Sequence, residues 1–159
     1  MIYAPDTAVL ATPIAAIRIE GDEAAVRRIE ILREREPSRR GSAPAVLAAA
    51  EQLEAWFDGA LRRFDLALAP PSTTRGVALR EGLVAVGYGE TISYGGLAVQ
   101  LGSAARAIGQ LCRRNPFPIV VPCHRVLSSG SAADHYSAGE GPATKQWLLA
   151  FERRQIQGE

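Results

Sequence analysis

The 159-residue chain reads as an α/β unit over residues 1–70 followed by a mainly helical unit over residues 73–159. Three observations set this class. Apolar and charged residues alternate through the early part of the chain, and an apolar rhythm of three and four residues comes next. Pro70-Pro71-Ser72-Thr73-Thr74 then interrupts the pattern before a second stretch rich in helix signals. Apolar residues make up 47% and charged residues 22%, which describes a soluble globular protein with enough length for a real core.

Residues 12–20 place Ile17 and Ile19 between Arg18 and Glu20, a half-buried strand. Gly21-Asp22 supplies a turn, and Val26 to Leu32, with Ile29 and Ile31 on one face, completes a hairpin. Residues 34–42 are charged and end in Pro, Ser and Gly, so they form a loop. Val46, Leu47, Ala50, Leu53, Phe57 and Leu61 mark an amphipathic helix. Beyond the proline break, residues 75–86 make a weak helix, because Gly76 and Gly82 each cost about 1 kcal/mol against alanine. Gly87 to Glu90 is a turn, and Ser93 suits the N-cap of a helix through Leu97, Ala98 and Leu101. Gly102-Ser103 leads into a second helix over residues 104–113. Together they make a helix-turn-helix whose second member bears Arg106 and Arg113. The small Ala104, Ala105 and Gly109 suit either close approach to a nucleic-acid groove or tight helix packing. Ile119-Val120-Val121 reads as a buried strand stopped by Pro122. Residues 142–152 form a last helix, with Pro142 in its first turn, Trp147, Leu148 and Phe151 on its apolar face, and Glu152 at the edge of that face.

Divided at the linker, the charge becomes informative. Residues 1–72 carry nine Arg against eleven Asp and Glu, a balance of −2, whereas residues 73–159 carry nine Lys and Arg against six, a balance of +3. No carboxylate occurs between Thr91 and Ala133, where Arg106, Arg113, Arg114 and Arg125 all fall, as a phosphate-facing surface requires. No apolar run approaches the roughly 18 residues of a membrane span. The N-terminus lacks a signal-peptide pattern, so a cytoplasmic protein is expected. Cys112, Cys123, His124 and His135 offer no zinc spacing, so neither metal nor cofactor is expected, and a disulfide is disfavoured in that compartment.

The chemistry concentrates at Pro122-Cys123-His124-Arg125-Val126. A thiol reacts as thiolate, and cationic or imidazole neighbours lower its pKa from about 8.5. Cys123 is therefore a candidate nucleophile presented at a strand end or turn. Adjacent residues of an extended strand point to opposite faces, so a water relay between Cys123 and His124 is easier than direct contact.

Read together, several stretches in this order resemble the O6-alkylguanine-DNA alkyltransferases. They are Gly89-Glu90-Thr91-Ile92-Ser93-Tyr94-Gly95, Ala104 to Gly109, Asn115 to Val126, and Lys145-Gln146-Trp147-Leu148-Leu149-Ala150-Phe151-Glu152. The resemblance implies a ribonuclease-H-like N-terminal domain and a winged helix-turn-helix domain holding the site. It implies irreversible transfer of the alkyl group from O6 of guanine in duplex DNA to Cys123, with each molecule acting once. In that scheme His124 takes up the thiol proton through a water, Glu152 orients the imidazole, and Asn115 holds the turn presenting Cys123. Arg106 fills the gap left by the extruded nucleotide, while Tyr94 assists rotation and donates a hydrogen bond to the guanine. Ala104, Ala105, Gly109 and Arg113 belong to the DNA-facing helix, which enters the minor groove. Tyr136, Ser137, Lys145 and Val126 belong to the pocket. The expected partner is double-stranded DNA containing O6-alkylguanine, met by a monomer, with no membrane involved.

The chain departs from the family where Arg75, Gly76 and Arg80 replace a usual Phe-Gln pair and a Trp, in the short Gly102-Ser103 turn, and at Ala138, a common glycine. Two rival readings are a lesion-binding protein without transfer, against which Cys123 argues, and a thiol hydrolase turning over repeatedly.

Overall fold

The computed structural model describes residues 4–128 and 135–158. The chain divides into two compact units, Met1–Ala69 and Pro70–Glu159.

The first unit is built on strands β1 (Asp6–Thr12), β2 (Ala15–Gly21) and β3 (Val26–Ile31), antiparallel in the order β1-β2-β3. The β2–β3 hairpin follows the alternation of the sequence, with Ile17 opposite Ile31 and Ile19 opposite Ile29. Two corrections apply. The strand expected at 12–20 begins at Ala15, because Pro13 and Ile14 turn the chain and Ala15 takes a φ of 86°. The segment before that turn is itself a strand, β1, whose Ala8, Val9 and Leu10 form a buried apolar run without alternation. Helix α1 (Pro44–Phe57) buries Val46, Ala49, Ala50, Leu53 and Trp56 and ends before Leu61. Ala43 at its N-cap brings no side-chain cap. Instead the Asp6 carboxylate accepts the amides of Ser42 at 2.7 Å and Ala43 at 2.8 Å, tying β1 to the helix start.

In the second unit, α2 (Thr74–Val84) forms despite its two glycines. The Thr73 hydroxyl accepts the Gly76 amide at 2.9 Å, and Leu79 and Leu83 anchor the helix in the core. Helix α3 (Tyr94–Gln100) is capped by Ser93, whose hydroxyl accepts the Gly96 amide. It packs on α4 (Ala105–Arg113) across a turn in which Gly102 has a φ of 61°. Strand β4 (Ile92–Ser93) pairs in parallel with β5 (Val126–Leu127). Helix α5 starts at Pro142, as expected, and runs past Glu152 to Ile156.

Ile119-Val120-Val121 is a buried turn, not a strand. Pro116, Pro118 and Pro122 remove three ladder donors, Ile119 takes a φ of 74°, and the Val121 amide closes on the Phe117 carbonyl at 2.9 Å. A continuous apolar run fits any fully buried segment, so periodicity alone could not separate the two. A β-branched residue at positive φ is strained by about 1–3 kcal/mol, and burial of all three side chains holds it there. No helix among the described residues is long and apolar enough to cross a membrane.

Candidate active site

Cys123, His124 and Arg125 form one 3-10 turn between the buried Phe117–Pro122 segment and β5. The extended backbone assumed for Cys123 and His124 is therefore replaced by a tight turn, with all three side chains buried. Asn115 organises the approach. Its side-chain amide donates to the Val121 carbonyl at 2.9 Å and to Cys123 Sγ at 3.3 Å, while its carbonyl accepts the Phe117 amide. Burial pushes the Cys123 thiol well up, the neighbouring Cys112 thiol adds to this, and the Asn115 donor and the Lys145 charge oppose it. The resting site therefore holds a protonated thiol.

The other two residues of the turn meet helix α5. His124 Nε2 lies 2.7 Å from Glu152 Oε2. Arg125 donates from Nε to both carboxylate oxygens at 3.1 and 3.2 Å, and from Nη2 to Oε2 at 2.8 Å. Its Nη1 donates to the Val86 carbonyl at 2.7 Å, and the Gly89 amide donates to Glu152 Oε1 at 3.1 Å. Burial alone would raise the Glu152 carboxyl, but hydrogen bonds from His124 and Arg125 and the Arg125 charge outweigh it and hold the group at about 2. Burial lowers His124, with the Arg125 and Lys145 charges acting in the same direction, and together they outweigh the hydrogen bond and charge of Glu152, which raise it. The arrangement is thus an ionised carboxylate neutralised by Arg125 and a neutral imidazole. Glu152 can only accept, so Nε2 carries the proton and Nδ1 is the free acceptor. Nδ1 is buried and meets no hydrogen-bond partner among the described residues.

A cavity of about 520 Å³ opens over Cys123, lined by Tyr94, Arg106, Gly109, Cys112, Tyr136 and Ser137 among others. Ala105 and Arg113 from α4 also reach it, and Ala104 is the exposed N-cap of that helix. Lys145 and Val126, expected at the pocket, are both fully buried and do not line this cavity. The Lys145 ammonium donates to the carbonyls of Val126 at 2.6 Å and His135 at 2.9 Å, and stands 5.8 Å from the centre of the Tyr94 ring. Among the described residues, no group of three or more His, Cys, Asp or Glu is placed to hold a metal ion.

The family model described as "6-O-methylguanine DNA methyltransferase, DNA binding domain" matches residues 78–154. A Methanosarcina barkeri methylated-DNA–protein-cysteine methyltransferase is 34% identical over 93% of this chain and 97% of its own length. The protein of the same name from Mycolicibacterium paratuberculosis is 38% identical over 90% of this chain and 89% of its own. The chain belongs to the methylated-DNA–protein-cysteine methyltransferase family. A crystal structure of Mycobacterium tuberculosis OGT in complex with DNA superposes with a TM-score of 0.78 at 33% identity, covering 92% of each chain.

In this alkyltransferase family site, Arg125 and Cys112 hold positions that the carboxylate-free stretch and the lack of zinc spacing do not specify. Arg125 is the permanent counter-ion of Glu152, and Cys112 shares the cavity with Cys123. No local motif signals either one, since the ion pair spans 27 residues and Cys112 sits one helix upstream. Lys145→Met is expected to cost about 2–4 kcal/mol, since the Val126 and His135 carbonyls lose a charged donor. A fall in the urea midpoint at unchanged m-value would show this.

Proposed function

We propose that this chain is a DNA repair protein that moves the alkyl group from O6 of guanine in duplex DNA to Cys123 and acts once. The observation that carries the reading is the buried Cys123 thiol at the floor of a cavity whose rim is formed by α4. The lesion lies inside the base stack, so the nucleotide is extruded into the cavity before a sulfur reaches it. Helix α4 exposes Ala104, Ala105, Arg106 and Arg113, and a side chain at Gly109 would meet open space. This face suits the minor groove, with Arg106 filling the vacated place in the stack. Tyr136 and Ser137 cover the extruded base.

In the chemical step, the His124 Nδ1 lone pair accepts the Cys123 proton through a water, and Glu152 stabilises the imidazolium that forms. The Asn115 amide, already 3.3 Å from Sγ, stabilises the growing thiolate. Sulfur attacks the alkyl carbon, the carbon–O6 bond breaks, and its electrons pass into the guanine, where a Tyr94 hydrogen bond receives the charge. The product is a thioether, which water does not reverse. Finer fold assignments belong to the same reading. A helix packed on a three-stranded antiparallel sheet supports the ribonuclease-H-like domain, and α3–α4 with the β4–β5 pair supports the winged helix-turn-helix.

With lesion duplex in excess, repair is expected to stop at about one lesion per chain, because a thioether cannot turn over. Continued repair beyond that plateau would contradict the assignment and favour a turnover nucleophile.

A further inference from the structure

The scheme above uses one of two thiols in the cavity. Cys112 lies in the last turn of α4, half-buried, and lines the same cavity as Cys123. The two thiols are near enough for each to shift the titration of the other, and both are free. Asn115 holds them in common. Its backbone amide donates to the Cys112 carbonyl at 3.3 Å, and its side chain donates to Cys123 Sγ at 3.3 Å.

We propose that Cys112 is a peroxide-reactive partner of Cys123, and that hydroperoxides convert the Cys112–Cys123 pair into a reversible disulfide that shields Cys123 from irreversible oxidation. Cys112 is the first to react, because it is the more exposed of the two and its thiol is lowered while that of Cys123 is raised. The Cys112 thiolate attacks the peroxide oxygen, the O–O bond breaks, and with one proton taken up the products are Cys112 sulfenic acid and an alcohol, or water from hydrogen peroxide. The Cys123 sulfur then attacks the Cys112 sulfur, the S–O bond breaks, and water leaves with the Cys123 proton. In sum, two thiols and one hydroperoxide give a disulfide, an alcohol and water. Without a neighbour, an oxidised Cys123 would proceed to sulfinic acid, which thiols do not reduce. The consequence for repair rests on Cys123 being the alkyl acceptor, but the disulfide itself does not.

Arg113 and Arg114 lie between the cysteines, so trypsin puts them on separate peptides. After treatment with hydrogen peroxide and non-reducing digestion, the expected product is a cross-linked pair of Cys112 and Cys123 peptides. Both thiols should disappear together and both return with dithiothreitol. Alkyl transfer should be lost in proportion to the cross-link and regained with it. In Cys112→Ser, Cys123 should instead reach sulfinic acid, and dithiothreitol should not recover it. Sulfinic Cys123 in the unaltered chain beside a still-free Cys112, or equal thiol recovery in Cys112→Ser, would overturn the proposal. A chain that cross-links but never transfers an alkyl group before oxidation would overturn the functional reading and leave the disulfide standing.

Discussion

Arg125→Met is expected to destabilise the second unit by about 3–5 kcal/mol, the cost of stranding one partner of a buried ion pair. Glu152 has no exposed surface, and Arg125 donates to both of its oxygens. Without the guanidinium, the carboxylate keeps only the Gly89 amide and the His124 ring, and the Val86 carbonyl loses its donor. The site suffers with the fold, since a Glu152 that takes up a proton no longer fixes the tautomer that leaves His124 Nδ1 free. Urea unfolding of the single variant measures the loss. In the double variant Arg125→Met, Glu152→Gln, part of the stability should return, because no charge is left unpaired. A single variant within about 1 kcal/mol of the parent would mean that the pair contributes no more than a surface bridge.

Acid should weaken the fold in two steps. Burial holds His124 below its ordinary 6.5, so the unfolded chain takes up a proton there that the folded chain refuses, and stability falls as pH drops below about 6.5. Glu152 is held at about 2 against an ordinary 4.5, so its contribution is complete above about 4.5 and is lost between about 4.5 and about 2. The second step corresponds to about 3 kcal/mol. Unfolding free energy measured against pH should therefore fall more steeply below about 4.5 in the parent than in Glu152→Gln, which cannot titrate there. Parallel curves would remove Glu152 as the source.

Much of this was legible in the residues. The β2–β3 hairpin announced itself through Ile17, Ile19, Ile29 and Ile31, and the helix pair through Ser93 and Gly102, because these signals act over a few residues. β1 carries no alternation to mark it, and Ile119–Val121 reads as a strand, because a wholly buried segment looks alike in either conformation. There the prolines and the positive φ at Ile119 decide the conformation. At the site, Cys123, His124 and Glu152 stood out through an ordered resemblance. The roles of Arg125 and Lys145 depend on partners brought together by folding: Arg125 reaches Val86 and Glu152, and Lys145 reaches Val126 and His135. An Arg beside a reactive thiol is easily taken as a thiolate-stabilising cation. Its hydrogen bonds to the carboxylate of the base-orienting residue give it a different task.

The central claim is that the Cys123 sulfur becomes the permanent home of the alkyl group. The most direct measurement is peptide mass analysis of the chain after incubation with duplex DNA containing O6-methylguanine. A single methyl group is expected on the peptide carrying Cys123, in proportion to the guanine restored, and none on the Cys112 peptide. An unmodified Cys123 with the lesion intact, or a methyl group on Cys112 instead, would contradict it.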